Sequence, residues 1–254
     1  MAEMVKVDCD GAVCCIALNR PDKKNAITRD MYRQLADALA AAAVDPACKV
    51  VVLASGGDNF SAGNDLADFL RDPSMDKDSP VYAFLQALVS CPLPVIAAVR
   101  GFAIGIGSTL LLHCEQVFAD STAVFALPFV NLGLVPEAGS SLLLPRLLGY
   151  QRAADLLLGG DSFSAQQALQ YGFVSQLVED GDVNAQAMAY AQKLAGKPRS
   201  SLVETKRLLR KDDEPLQARL HDELAAFVSS LNGAAAREAM TAFLEKRKPD
   251  FSNF

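Results

Sequence analysis

Short runs of apolar residues, many of them β-branched, recur through the first half of this sequence and limit its fold more than any other feature. Lys49–Ala54 is such a run and ends at Ser55-Gly56-Gly57, and further runs follow at Pro94–Val99 and Ala123–Leu127. Continuous apolar runs of this length are typical of parallel strands that are covered on both faces. We therefore expect an α/β fold in which helices connect the strands of a mainly parallel sheet.

The N-terminal segment predicts a hairpin followed by a helix. Val5–Val7 and Ala12–Leu18 flank Asp10-Gly11, a dipeptide that favours a tight turn between antiparallel strands. Thr28 is a suitable N-cap, because the apolar residues after it are spaced by about one helical turn. These residues are Met31, Leu35, Leu39 and Ala42.

From about residue 140 the pattern becomes helical. Ser164 followed by Gln167 is a capping box at a helix start. Gly196-Lys197-Pro198 predicts a hinge, which divides the chain into an α/β core of residues 1–195 and a helical C-terminal region of residues 196–254. The amphipathic segments of this half are Val183–Ala195, Ser200–Leu209, Pro215–Leu231 and Ala234–Glu245.

Composition argues against several classes of function. The 254 residues have a formal net charge of −6, and nucleic acid is not expected as a partner because duplex binding needs a basic face. No apolar run reaches the roughly 18 residues of a membrane-spanning helix, so no membrane partner is expected. The six cysteines form no C-x-x-C pair and the first residues lack a signal-peptide pattern. These features favour a reducing cytoplasm and argue against a zinc site.

Familiar catalytic constellations are missing from the sequence. His113 and His221 are the only histidines, and no G-x-S-x-G elbow accompanies either, which argues against a serine hydrolase. No group of residues has the spacing of a metal site. Gly105-Ile106-Gly107 lacks the later glycine of a dinucleotide fingerprint.

Two glycine-rich segments, each predicted to join a strand to a helix, are the strongest candidates for chemistry. The first is Phe60–Leu66, with the sequence FSAGNDL, and the second is Val99–Ser108, with the sequence VRGFAIGIGS. Small residues let backbone N–H groups come close to a ligand, and the first N–H groups of a helix have no partner inside the helix. Two such turns could direct two N–H groups at one oxygen atom and form an oxyanion hole. The alternative is glycine that serves only loop geometry or tight packing.

Five segments, in order along the chain, resemble the signature motifs of the crotonase (enoyl-CoA hydratase/isomerase) superfamily. They cover residues from about 12 to about 180, and together they are far more specific than any one of them. The segments are Asn19-Arg20-Pro21 with Asn25-Ala26, Phe60–Leu66, Val99–Gly107, Leu132–Pro136 with Gly139, and Ala165–Val174 with Ala168 and Gly172.

The resemblance implies a fold of repeated ββα units and a helical C-terminal part that builds homotrimers, often paired into hexamers. It also implies an acyl-CoA thioester ligand, with no cofactor beyond the coenzyme A of the substrate. By motif position, the thioester oxygen would accept hydrogen bonds from the backbone N–H groups of Asn64 and Ile106. The second position is usually glycine in the family and is isoleucine here.

The positions at which the family carries its catalytic acidic residues favour isomerisation over hydration in this sequence. Hydratases of the family carry two glutamates, and this sequence has Thr109 and Phe129 at those positions. Isomerases that move a 3,4 double bond to the 2,3 position carry a glutamate where this chain has Glu137. The resemblance thus implies a Δ3,Δ2-enoyl-CoA isomerase of fatty acid degradation, with Glu137 as the proton shuttle.

The sequence also allows alternative roles for these residues and for the whole chain. Glu137 could be an exposed glutamate that is favoured at a helix N-terminus by the helix dipole. The chain could catalyse hydration or another enolate reaction, or it could bind acyl-CoA without catalysis. Asp65 is expected to order the first turn, and Lys24 could be a solvated surface charge. The residues expected to contact the substrate are Lys24, Ala26, Ala62, Asn64, Asp65, Leu66, Ile106, Gly107, Phe129 and Leu132.

Overall fold

A computed structural model describes residues 3–71, 78–179, 182–211 and 214–252. The strands are β1 (Val5–Asp10), β2 (Val13–Leu18), β3 (Val50–Ser55), β4 (Val95–Val99), β5 (Phe102–Ile104), β6 (Gln116–Asp120), β7 (Val124–Ala126), β8 (Ser162–Ser164) and β9 (Gln176–Val178). The α-helices are α1 (Arg29–Val44), α2 (Leu66–Arg71), α3 (Pro80–Ser90), α4 (Ile106–Thr109), α5 (Ser140–Leu148), α6 (Tyr150–Ala154), α7 (Ala165–Gln170), α8 (Val183–Ala195), α9 (Arg199–Leu209), α10 (Glu214–Leu231) and α11 (Ala234–Leu244).

The larger sheet has the strand order β1-β2-β3-β4-β6-β9 in the described part of the chain. The β1–β2 pair is antiparallel, as the Asp10-Gly11 turn predicts, and every other neighbouring pair is parallel. All residues of β3 and β4 are buried, which confirms the interpretation of these apolar runs as strands covered on both faces.

The two faces of this sheet bury alternate residues of the same strands. Val51 and Leu53 of β3 face a core that also contains apolar residues of α1 and α3. Val50 and Val52 face the opposite side, where α8 covers them. Since successive side chains of a strand point to opposite faces, one short β-branched run supplies both cores.

The predicted helix caps are present. The Thr28 hydroxyl accepts a hydrogen bond from the Met31 N–H at 3.3 Å at the start of α1. Ser164 and Gln167 form the reciprocal capping box of α7. Helices α9 to α11 form the helical C-terminal region. The bounds of α8 to α11 agree with the four amphipathic segments to within one residue at each end.

The second glycine-rich segment was predicted to be a simple turn from a strand to a helix, and this prediction is wrong. Between β4 and α4 the chain forms the short strand β5, which pairs in parallel with β7 in a second sheet of order β5-β7-β8. Helix α4 itself has only four residues. The physical reason is that Phe102–Ile104 finds a strand partner in β7, a distant segment that the local sequence pattern does not reveal.

The proposed division of the chain at residue 195 stays a prediction. The Arg199 guanidinium at the start of α9 donates hydrogen bonds to the carbonyl oxygens of Cys48 and Ala43, at 2.9 Å and 3.0 Å. The C-terminal helices therefore start from a point that is fastened to the core. Among the described helices, none is long and apolar enough to cross a lipid bilayer.

Candidate active site

The two glycine-rich turns lie side by side and are joined by backbone hydrogen bonds. The Ser61 N–H donates to the Phe102 carbonyl at 2.8 Å, and the Ile104 N–H donates to the Ser61 carbonyl at 3.0 Å. Gly63 has a φ of +90°, and a Cβ at this position would lie 2.8 Å from the Ile104 carbonyl oxygen. The close approach of the turns therefore requires glycine at position 63.

A cleft of about 730 Å³ opens where these turns meet. The N–H groups of Asn64 and Ile106 donate no hydrogen bond to any acceptor among the described residues. Both residues line the cleft, so two backbone donors are available in its wall. The lining consists of Arg20, Lys23, Ala26, Ala62–Ala67, Arg71, Ile104–Ile106, Pro128, Phe129, Asn131, Leu132, Leu134, Phe227, Phe243 and Leu244.

Most of the predicted contact residues lie in this lining. Lys24 and Gly107 do not, among the described residues that form the cleft. The Lys24 amine lies 4.9 Å from the centre of the Phe102 ring, in a cation–π contact, whereas Arg20 and Lys23 supply positive charge to the cleft. The role of Lys24 in coenzyme A binding stays a prediction.

Asp65 orders the first turn, as expected from the sequence. Its carboxylate accepts hydrogen bonds from the Arg20 guanidinium at 2.7 Å and from the Asp68 N–H at 3.1 Å, at the start of α2. Partial burial opposes ionisation, but the Arg20 contact prevails and lowers the pKa of Asp65 below its ordinary value. The carboxylate thus ties the turn to the loop after β2.

Asn25 holds the same region together from inside. This side chain is fully buried, and its amide donates to the carbonyl oxygens of Gly56 and Asn59 at 2.9 Å and 2.7 Å. Its backbone carbonyl oxygen accepts from the Ser61 hydroxyl at 2.9 Å. Asn25 therefore connects the loop after β2 with the turn that carries Asn64.

The Asn64 side chain is fixed by a tyrosine of α1. The Tyr32 hydroxyl donates a hydrogen bond to the Asn64 side-chain oxygen at 2.5 Å. Tyr32 is fully buried, and burial together with the nearby Glu137 carboxylate raises the pKa of its hydroxyl well above the ordinary value. The hydroxyl therefore stays protonated and remains a donor.

Glu137 is buried rather than exposed at a helix start. Its carboxylate accepts a hydrogen bond from the Thr109 hydroxyl at the end of α4. Burial raises the pKa of Glu137 to about 8; the Thr109 hydrogen bond opposes this rise, and the charge of Glu223 adds to it. A buried carboxyl with a pKa near neutrality is a strong candidate for acid–base chemistry. Glu137 is not among the described residues that line the cleft.

The turn after Glu137 is held from two sides. Ala138 has a φ of +58°, which is unfavourable for a residue with a Cβ, and costs about 1 kcal/mol. The His113 Nε2 donates to the Ala138 carbonyl oxygen at 2.8 Å. The Glu223 carboxylate of α10 accepts from the N–H groups of Gly139 and Ser141, at 2.6 Å and 2.9 Å. Strained backbone held by several contacts is common at functional sites.

His113 acts here as a neutral donor. It is buried, and burial lowers the pKa of its imidazole to about 4, although the hydrogen bond to Ala138 opposes the shift. At neutral pH the ring therefore carries one proton, which lies on Nε2 because the Ala138 carbonyl can only accept.

Comparison with known proteins decides the family. The model of the enoyl-CoA hydratase/isomerase family matches residues 8–253. This chain belongs to the enoyl-CoA hydratase/isomerase family. A solved structure of a family member from Pseudoalteromonas atlantica T6c has a TM-score of 0.93 and 39% identity, and the match covers 98% of this chain and 100% of that one. The fold is therefore the crotonase fold.

Relatives within this family have different activities in their names. The 1,2-epoxyphenylacetyl-CoA isomerase of Escherichia coli is 35% identical, and the 2,3-dehydroadipyl-CoA hydratase of the same species is 36% identical; each match covers 99% of both chains. Enoyl-CoA delta isomerase 2 of Rattus norvegicus is 32% identical over 96% of this chain and 64% of its own length.

Several residues of this family member's site were not predicted from the sequence. Tyr32 lies on α1 and His113 in the segment after α4, and the apolar pattern around each indicated only packing. The hydrogen bond of Thr109 is to a residue 28 positions away, and such a contact leaves no local signal in the sequence. Glu223 and Phe227 belong to α10, which the sequence placed in a separate helical region. Their spacing of four residues, which puts them on one helix face, was the only available hint.

Proposed function

We propose that this member of the enoyl-CoA hydratase/isomerase family is a Δ3,Δ2-enoyl-CoA isomerase of fatty acid degradation. The observation that carries the proposal is Glu137, a buried carboxyl whose pKa rises to about 8, hydrogen-bonded to Thr109 beside a cleft with two available N–H donors. The substrate would be a 3-enoyl-CoA, and the reaction needs no cofactor beyond the coenzyme A of that substrate.

The first step is removal of a proton from C2 of the acyl chain. The electron pair of the C2–H bond moves into the thioester and gives an enolate. The enolate oxygen accepts hydrogen bonds from the N–H groups of Asn64 and Ile106, which stabilise the negative charge as it develops. Ile106 can take this role because the donor is its backbone, not its side chain.

The second step returns the same proton to C4. The ionised Glu137 takes the proton from C2 and, as the acid, gives it to C4 as the double bond moves from the 3,4 to the 2,3 position. No atom is gained or lost, so one carboxyl is sufficient. Its raised pKa makes Glu137 a stronger base than an ordinary carboxylate.

The surroundings of Glu137 favour this reaction over hydration. Thr109 and Phe129 occupy the positions of the two hydratase glutamates, and the buried Phe129 ring lines the cleft. A second carboxylate, Glu223, acts on the pKa of Glu137, but both of its oxygens already accept backbone hydrogen bonds. It is therefore poorly suited to activate a water molecule.

The described residues that line the cleft do not include Glu137, so side chains must move for the acyl chain to reach its carboxyl. Ile106, the first residue of α4, lines the cleft, and Thr109, its last residue, holds the carboxyl. Three residues of a helix rise about 4.5 Å, so the residue that holds the carboxyl lies about one helical turn along the chain from the cleft wall. We propose that small side-chain movements on substrate binding close this gap.

The names of relatives support the family reaction without selecting one activity. Enoyl-CoA delta isomerase 2 favours the proposal, whereas 2,3-dehydroadipyl-CoA hydratase favours hydration as the second candidate. Both reactions need the enolate and the two N–H donors. They differ in the acid–base groups, which makes Glu137 the residue to test.

The Glu137→Gln variant tests this assignment. Glutamine keeps the size of the side chain and can still accept the Thr109 hydrogen bond, so the fold should persist. It cannot take up the C2 proton, and isomerisation should fall by about 10²–10⁴-fold. Binding of a saturated acyl-CoA, measured by calorimetry, should stay within about threefold, because the backbone donors remain. A variant that keeps most of its isomerase rate would show that another group carries the proton.

We also propose that the protein forms homotrimers or pairs of trimers. Large apolar side chains are exposed on several helices of the second half of the chain, and assembly with other copies would bury them. These residues are Leu147, Tyr150, Leu158, Leu208, Leu209, Phe243 and Leu244.

A further inference from the structure

Helix α5 begins without a capping side chain of its own. Its N-cap residue is Gly139, with a φ of +73°, and it has no side chain that could accept a hydrogen bond. The first N–H groups of a helix need acceptors from elsewhere. Those of Gly139 and Ser141 find them in the two carboxylate oxygens of Glu223, at 2.6 Å and 2.9 Å.

Helix α10 is seated directly on this turn. A Cβ at Gly139 would lie 2.4 Å from the Leu216 Cδ1, so the Leu216 side chain of α10 packs directly against the turn. The Arg219 guanidinium donates to the Ser141 hydroxyl at 3.1 Å. Phe227, one helical turn after Glu223, lines the cleft. One face of α10 therefore reaches both the cleft and the turn that carries Glu137.

We propose that Glu223 is a positioning residue for the reaction: by capping α5 from another helix, it fixes the turn that places the Glu137 carboxyl. This inference rests on the proposed role of Glu137 as the base. It makes the helical C-terminal region a working part of the active site rather than only an assembly surface.

Glu223 acts on Glu137 through its charge as well as through its position. Titratable groups surround this pair: Tyr32 of α1 lies near Glu137, Arg219 of α10 lies near Glu223, and His113, from the segment after α4, contacts the Ala138 carbonyl oxygen. Burial raises the pKa of Glu223, while its hydrogen bonds and Arg219 oppose that rise. When ionised, Glu223 raises the pKa of Glu137 by like-charge repulsion.

The test compares Glu223→Gln with Asp222→Asn. Asp222 is the exposed neighbour on α10, and its variant makes the same change of charge away from the turn. Glu223→Gln loses one of the two acceptor oxygens as well as the charge. We expect its kcat for isomerisation of a 3-enoyl-CoA to fall about tenfold, with KM nearly unchanged, because a small misplacement of a catalytic group is costly. Asp222→Asn should retain the parental kcat.

A second measurement does not depend on the reaction. The free energy of unfolding is measured against pH for four proteins: the parent, Glu137→Gln, Glu223→Gln and the double variant. The difference between the parent and Glu137→Gln gives the pH at which Glu137 ionises. The difference between Glu223→Gln and the double variant gives the same quantity without the charge of Glu223. We expect the pH at which Glu137 ionises to fall when Glu223 is replaced. Unchanged kcat and an unchanged ionisation pH in a folded Glu223→Gln protein would overturn the proposal.

The two proposals can fail separately. If Glu137→Gln keeps its isomerase rate, the proposed role of Glu137 as the base is wrong, and the unfolding measurement still decides whether Glu223 controls the ionisation of Glu137. If Glu223→Gln does not fold, Glu223→Asp serves instead, because aspartate keeps the charge but is too short to reach both N–H groups. That variant should lose kcat without a change in the ionisation pH, and a parental kcat would contradict the positioning role.

Discussion

The Thr109 hydroxyl donates a hydrogen bond to the buried Glu137 carboxylate. Thr109 ends the four-residue helix α4, which begins with Ile106 in the wall of the cleft. A single helical turn thus connects one of the proposed oxyanion donors to the proposed base. In the proposed reaction, this arrangement would set the distance between the thioester oxygen and the proton acceptor through the backbone, as catalysis by orientation requires.

The raised pKa of Glu137 predicts that its ionisation destabilises the fold. The pKa of about 8 in the folded protein exceeds the ordinary value of 4.5. Stability from the neutral carboxyl is therefore complete below about pH 4.5 and is lost as the pH rises through 8. Relative to Glu137→Gln, the protein should lose on the order of a few kcal/mol between pH 5 and pH 9. Chemical denaturation at several pH values measures this loss, and parallel curves for the two proteins would contradict a buried, perturbed carboxyl.

Removal of the Tyr32 hydroxyl should weaken catalysis through Asn64. Tyr32→Phe keeps the ring in the core but leaves the Asn64 side chain without its donor, at a cost of about 1 kcal/mol in stability. We expect kcat/KM to fall roughly three- to thirtyfold, as the turn that presents the Asn64 N–H becomes less fixed. Tyr82→Phe is the matched control, because that hydroxyl contacts His221 at 3.1 Å on the surface. Equal effects of the two variants would argue against a role for Tyr32 in the site.

The exposed apolar residues predict an oligomer in solution. Leu209 and Tyr150 are 78% and 73% exposed in the single chain, and an assembly would bury such side chains. Light scattering at micromolar concentration should give the mass of three or six chains. A variant with Leu209→Lys should shift the population to smaller species if this part of α9 lies in the interface. A parental protein that is monomeric under these conditions would contradict the prediction.

The fold was largely predictable because local patterns decide most of its elements. The runs at β3 and β4 could only be covered strands, and Thr28 and Ser164 mark helix starts by their own chemistry. Strand β5 was missed because its three residues become a strand only by pairing with β7. The cause of that strand lies in a distant segment rather than in the residues themselves.

The site was predictable only as far as its motifs extend. Asn64, Ile106 and Phe129 line the cleft, as their motif positions implied. Besides burial, the groups that set the pKa of Glu137 are Thr109 and Glu223, which are 28 and 86 residues away in the chain by difference of residue numbers. Hydrogen bonds between distant segments, and the burial of side chains where those segments pack, arise only in the folded chain. Local sequence patterns therefore cannot predict them.

The most direct test of the central claim is a parallel assay of purified protein on a 3-enoyl-CoA and a 2-enoyl-CoA of equal chain length. Absorbance of the conjugated thioester follows isomerisation of the first substrate, and the 3-hydroxyacyl-CoA product measures hydration of the second. With Thr109 and Phe129 in place of the two hydratase glutamates, isomerisation should be at least about 100-fold faster than hydration. Rapid formation of the 3-hydroxy product with negligible isomerisation would contradict the account.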